Sequence, residues 1–236
     1  MKKVLAISFV LILCMAASAF GSATNWRFNV IADNGIVANG AAGTTAQIGI
    51  SSASIDGLDD ADATADYSAG KPLEQVWVAS IIPATPAITY TKNLKEYSAS
   101  GKAWTLKVVA GRDYDPNNTG LNTFRLQLKT YSSTAQLPPA ASPWTYKLTM
   151  VNNQGVEGMP ANTTAWALTM PTTVSTAFFT MTLPVKRLAG GIDDAGMIAS
   201  GYEFKFEQLV PEPSSLLALG AGLVGLAGLV VRRRRS

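Results

Sequence analysis

The stretch "SIDGLDDADATAD" places Asp56, Asp59, Asp60, Asp62 and Asp66 within eleven residues. Carboxylates this dense repel one another unless a cation or solvent intervenes. Calcium takes about six to eight oxygen ligands, which such a loop could supply. We therefore take Asp56, Asp59, Asp60 and Asp62 as the candidate metal ligands. Their order differs from an EF-hand loop, which alternates its acidic positions before a glycine and ends on a glutamate. The plainer alternative is a solvated acidic loop. The loop "GRDYDPNNTG" gathers Asp113, Asp115, Asn117 and Asn118, which could converge on a cation or on sugar hydroxyls. Asp, Asn, Pro and Gly are also what a long hairpin loop uses for its turn. Asp193 and Asp194 in "GGIDDAG" carry the same two readings.

Absences narrow the chemistry further. The chain has no histidine and one cysteine. Ser-His-Asp catalysis, Cys-His catalysis and His-ligated metal sites are thereby excluded. A glycosidase needs two carboxylates facing across a cleft, and nothing in the spacing singles out a pair among Glu74, Glu96, Glu157, Glu203 and Glu207. No nucleophile elbow and no phosphate-cradling glycine loop is present. We expect no enzyme and no required cofactor, with calcium as the one candidate ligand ion. Among five tryptophans, Trp26, Trp104 and Trp144 share a strand face with apolar neighbours and are expected in the core. Trp77 is the candidate carbohydrate platform, because Val76 and Val78 alternate away from it.

The net charge of +3 is an effect of the ends. Lys2, Lys3 and Arg232 to Arg235 are six of the 19 bases, which leaves 13. Only Glu212 of the 16 acids lies beyond residue 210, which leaves 15 and makes the interior −2. That interior offers no basic stripe to a phosphate backbone, so no nucleic-acid partner is expected.

The elements that must position these residues are strands. Trp26, Phe28 and Val30 alternate with polar residues, as do Trp104, Leu106 and Val108. The same period of two runs through Phe124–Leu128, Trp144–Met150, Met181–Leu183 and Tyr202–Phe206. Such alternation buries one face and wets the other, the pattern of a half-buried antiparallel strand. Shorter candidates are Gln47–Ile50, Val76–Ile81 and Ala165–Met170. Turn clusters such as "DPNNTG", "LPPAASP" and "VNNQGVEG" separate them. Pro171 and Pro184 confine their strands to sheet edges or strand ends. Residues 35–70 read as a long loop with one strand embedded. About nine strands and no amphipathic helix imply an all-β fold, an antiparallel two-sheet sandwich, jelly-roll-like or else a closed barrel.

Both ends read as addresses. Lys2 and Lys3, the apolar run Val4–Met15 and the small residues Ala17 and Ala19 compose a secretory signal peptide over residues 1–19, cleaved after Ala19. Cys14 falls inside it, so the exported domain, residues 20–209, lacks thiols and depends on its core alone. Residues 210–236 hold Pro211-Glu212-Pro213, an apolar helix over 214–231 with four glycines, and Arg232, Arg233, Arg234 and Arg235. Eighteen residues without a charge are long enough to span a bilayer, and the arginines would stop transfer and stay cytoplasmic. The two prolines hold an extended peptide just outside the membrane.

Those three parts, in that order, resemble the bacterial PEP-CTERM sorting signal. The resemblance implies recognition by an exosortase, an integral-membrane transpeptidase-like enzyme, after passage through the secretion machinery. It also implies an inner-membrane intermediate in a Gram-negative bacterium that makes extracellular polysaccharide, with the cell surface or matrix as the final location. For the exported domain we expect a structural or adhesive role. The alternatives are a carbohydrate-binding module, calcium-dependent or not, and a surface hydrolase.

Overall fold

A computed structural model describes residues 25–33, 44–51, 63–64, 76–82, 88–96, 101–110, 123–138, 144–185 and 201–209. The signal-peptide residues, the acidic loop residues 52–62, the loop 111–122, Asp193, Asp194 and the tail from 210 onward lie outside them.

Eleven strands and a single three-residue 3-10 turn, Thr134–Gln136, make up the described structure. The strands are β1 Trp26–Asp33, β2 Thr44–Ile50, β3 Ala63–Thr64, β4 Val76–Ile82, β5 Ile88–Lys95 and β6 Lys102–Ala110. They continue as β7 Thr123–Thr130, β8 Thr145–Asn152, β9 Ala165–Leu168, β10 Ala177–Pro184 and β11 Tyr202–Leu209. The expected strands all form. In β1, β7, β8 and β11 every second residue is buried over most of the strand, as the alternation requires. Two strands were not among those expected: the two-residue β3, which is a second strand within residues 35–70, and β5. The apolar positions Ile88, Tyr90 and Leu94 of β5 alternate, but Lys92 and Asn93 interrupt the pattern. The turn after β8 is built by its asparagines: Gly155 N donates to Asn153 Oδ1 and Gln154 N to Asn152 Oδ1.

Hydrogen bonding runs through one continuous ladder in the order β10-β7-β1-β2-β5-β4-β6-β11-β8-β9, with β3 pairing β5. All pairs are antiparallel except β2 with β5, which run parallel. The ladder folds over on itself into two layers. Trp26 of β1 meets Trp104 of β6 at 5.4 Å, Tyr146 of β8 at 5.8 Å and Phe206 of β11 at 6.4 Å between ring centroids. None of these strands neighbours β1 in the ladder, so the rings meet across the interior. Phe28 adds contacts to Phe206 at 5.6 Å and to Phe178 of β10 at 5.0 Å. Tilted and edge-on ring pairs of this kind add about 0.5–1.5 kcal/mol each beyond burial of their area.

The fold-over happens at β5. Its start pairs with β4 through Ile88 and Tyr90, and its end pairs with β2 from Lys92 to Lys95. A strand that leaves one layer and enters the other turns a corner, and β5 has the burial to match: Asn93 and Leu94, which are successive residues, are both buried. Several polar groups at the corner find partners inside it, although the buried Asn93 Oδ1 has none among the described residues. Trp104 Nε1 donates to Asn93 O at 3.2 Å, Asn93 Nδ2 to Ser80 Oγ at 2.9 Å, and Ser80 Oγ to Thr105 O at 3.3 Å. On the β2 side, Gly49 lies so close to β1 that a Cβ there would collide with the Trp26 carbonyl oxygen.

Two strands depart from half-burial. Val78, Ala79, Ser80 and Ile81 of β4 are buried in succession, as are Leu106 through Ala110 of β6. Both faces of these strands are therefore covered. Lys107 falls in the second run at 5 % exposure and carries its charge there by pairing with Glu203 at 2.7 Å.

Candidate functional site

The last strand carries the chain to the tail. β11 lies between β6 and β8, and both ladders hold almost to its end: Gln208 pairs with Lys102 and Tyr146, and Leu209 with Thr145. Charged residues on its outer face are set in rows. Glu207 receives Lys147 at 3.0 Å and Lys205 at 2.6 Å. Burial pushes the Glu207 carboxyl up, but its hydrogen bonds to Lys205 and Lys147 outweigh burial and hold it below the usual carboxylate range. Beside this strand end an open depression of about 200 Å³ is lined by Gly101, Lys102, Ala103, Glu207, Gln208 and Leu209. Gly101 has φ of +83°, and a Cβ on it would strike the Gln208 carbonyl oxygen. The first strand starts on the same rim, since Trp26 touches Tyr146, the neighbour of Thr145. Chain entry and chain exit thus share one end of the sandwich.

Comparison with known families identifies the segment beyond the sandwich. Residues 209–235 match the PEP-CTERM protein-sorting motif. The motif begins on the final residue of β11 and takes in Pro211-Glu212-Pro213 and Arg232 to Arg235. The protein therefore carries a PEP-CTERM sorting signal, which implies export, processing by the membrane enzyme exosortase, and sorting at the membrane toward the surface. Leu209, the last residue of β11, is thus the first residue of the motif, and the residues of the motif beyond it lie outside the described ones. No curated protein and no solved structure matches the chain.

The residues expected to do chemistry divide into those described and those outside. Asp56, Asp59, Asp60 and Asp62, the cleavage residues Ala17 and Ala19, Pro211, Glu212, Pro213 and Arg232 to Arg235 lie outside the described residues, as does the apolar run 214–231. Trp77 has a described backbone place in β4, opposite Val109, and its side chain lies outside. Trp26, Trp104 and Trp144 are in the core, as their strand neighbours required. Among the described residues no helix is long and apolar enough to cross a membrane, and no group of three or more Cys, Asp or Glu side chains converges on a point.

Four of the described carboxylates face bases. Asp33 accepts two hydrogen bonds from Arg125, both at 2.9 Å, and this pairing raises the arginine pKa against the opposing effect of burial. Glu203 pairs with Lys107, Glu207 with two lysines, and Glu96 with Lys102 at 3.7 Å.

The sequence reading missed the one half-open aromatic group in the described structure. At the ends of the ladder, Trp166, Leu168 and Met170 on one side and Phe178, Phe179 and Met181 on the other are all partly buried against the core, and β9 and β10 form a mouth where Trp166 reaches Phe179. Trp166 and Phe179 touch at 5.5 Å with planes 60° apart. A bulge between Ala177 and Phe179 lets two consecutive phenylalanines both find apolar partners, Phe178 on Phe28 and Phe179 on Trp166. The signal was present in "TAFFTMTL", but a period of two sends adjacent aromatics to opposite faces and so hides the bulge.

Proposed function

We propose that the exported domain is a non-catalytic structural or adhesive component, delivered to the cell surface or to an extracellular polysaccharide matrix by its sorting tail. The observation that carries this reading is the junction itself: a sorting motif that begins on the last residue of β11, an interior strand of a β sandwich. The ion pairs of Asp33, Glu203 and Glu207 support it, because they engage those carboxylates in linking neighbouring strands. In this reading residues 214–231 span the inner membrane with Arg232 to Arg235 in the cytoplasm until exosortase acts. Pro211 and Pro213 suit such an enzyme in this reading, since prolines disfavour helix and sheet in the peptide that it must grip.

The test is the mass of the surface-exposed protein purified from its host. Loss of Arg232 to Arg235 is expected. Retention of the four arginines would make the tail a simple anchor. A parallel titration of the full-length chain against the host polysaccharide, with calcium present, addresses the domain. Shortening of the polysaccharide would replace the structural reading with a hydrolase. Saturable calcium-dependent binding would make the domain a carbohydrate-binding module and direct attention to Trp77 and Asp56 to Asp62.

A further inference from the structure

The sorting motif begins on a residue that the sheet already holds. Leu209 is paired with Thr145 of β8, and Gln208 before it with Lys102 of β6 and Tyr146 of β8. A fully extended chain advances about 3.3–3.6 Å per residue, so Pro211 lies within about 7 Å of Leu209 and Pro213 within about 14 Å. A small protein domain is about 30 Å across. An enzyme whose active site reaches Pro211-Glu212-Pro213 therefore abuts the end of the sandwich. The strand end resists being peeled away to make room. β11 is bonded on both sides, and Phe206 and Gln208 are buried. Gly101 packs so closely against it that a Cβ there would strike the Gln208 carbonyl oxygen. Peeling would bare an aromatic ring and orphan buried backbone groups.

We infer that the end of the sandwich formed by β6, β11 and β8 is a contact surface for the membrane enzyme that processes the tail. The tether selects this partner, since the enzyme must come within reach of a peptide that starts on Leu209. With so short a tether the effective concentration of the rim at the bound enzyme is on the order of millimolar, so a weak contact is enough. Beside Leu209 the open depression of about 200 Å³, with Ala103, Lys102 and Glu207 in its lining, offers a concave place to an element of the enzyme. On the other side of the strand Thr145, opposite Leu209, is exposed. The charged side chains beside the depression are tied to one another, Lys102 to Glu96 and Glu207 to Lys147 and Lys205. The contact is therefore one of shape and hydrogen bonding more than of net charge. It rests on the reading that exosortase processes the tail, and adds the part of the folded domain that the enzyme meets.

The test follows processing of the full-length chain in its host, read by mass as the rate at which Arg232 to Arg235 are lost. Flexible Gly-Ser insertions of two and ten residues are placed between Leu209 and Val210. A tethered contact weakens roughly as the −3/2 power of tether length, so the two insertions are expected to slow processing by about 2-fold and about 6-fold. Ala103→Arg, which fills the depression, is expected to slow it as well, whereas Thr182→Arg, on an exposed position of β10, is not. The insertions leave every residue of the sandwich in place, so they decide the matter even where Ala103→Arg fails to fold. A ten-residue insertion processed at the wild-type rate or faster would overturn the contact and leave the processing reading intact. Equal slowing by two and ten residues would also overturn it, since that marks a disturbed motif rather than a lost contact. A folded Ala103→Arg processed at the wild-type rate would do the same. A wild type that keeps its four arginines would overturn processing itself, and the contact with it.

Discussion

At the β5 corner, Trp104 Nε1 donates to Asn93 O and Asn93 Nδ2 to Ser80 Oγ, inside a strand that bonds to both layers. At the β9–β10 mouth, Trp166 and Phe179 meet ring on ring, and no ladder joins their strands. Both regions close the same sandwich. One does so with directional bonds in a dry interior, the other with apolar contact at a half-wet border. Buried hydrogen bonds are costly to break because the orphaned group has no water to turn to, whereas a half-exposed ring gives up part of its contact area and is rewetted. The corner should therefore hold the fold, and the mouth should be the place where it loosens.

Substituting the two tryptophans separates the regions most sharply. Trp104→Ala is expected to cost about 4 kcal/mol, since it empties a fully buried site and frees the Asn93 carbonyl. Asn93→Ala should cost about 2 kcal/mol by removing the buried donor to Ser80 Oγ, which keeps only its own bond to Thr105 O. Trp166→Ala, at the mouth, should cost about 1.5 kcal/mol. Urea titrations monitored by fluorescence rank the three. Equal losses for Trp104 and Trp166 would erase the distinction between corner and mouth.

Tyr202 ties the mouth to the interior and adds a test in alkali. Its hydroxyl donates to the carbonyl oxygen of Pro184, the last residue of β10, at 2.6 Å, and burial pushes its pKa up to about 12. A raised folded-state value means stability that is complete below the ordinary value of 10.0 and is lost as pH rises from there toward about 12. Tyr202→Phe should cost about 1 kcal/mol at neutral pH and flatten that alkaline loss. An unchanged alkaline slope in the variant would assign the loss to other groups. The smallest effect belongs to Glu207, away from both regions. Its lowered pKa contributes stability above the ordinary value of 4.5 that disappears as pH falls through the folded-state value. Glu207→Gln should make the acid limb of the pH–stability curve shallower, and an equally steep limb would remove Glu207 from the account.

Strand placement was legible because burial on one face imposes a period of two on the chain, and "TFRLQLKT" or "YEFKFEQL" reads the same with or without a structure. Pro184 correctly marked the end of an edge strand, since a residue without an amide donor cannot sit mid-ladder. β5 escaped notice where Asn93 breaks the pattern, and Asn93 is the residue that the corner uses. Continuous burial in β4 and in the second half of β6 was equally hidden, because Lys107 looks solvated until Glu203 comes beside it from β11.

By itself the sequence determined the strands, the core tryptophans and the sorting motif, each of which is written in neighbouring residues: a period, a face, a Pro-Glu-Pro with an apolar run and four arginines after it. Tertiary structure alone decided that the two layers form one ladder, that β2 and β5 run parallel, and that β9 and β10 come last in the ladder of the described strands. Those features depend on pairings between residues far apart in the chain. Local alternation specifies which side of a strand is buried and carries no record of which strand lies beside it.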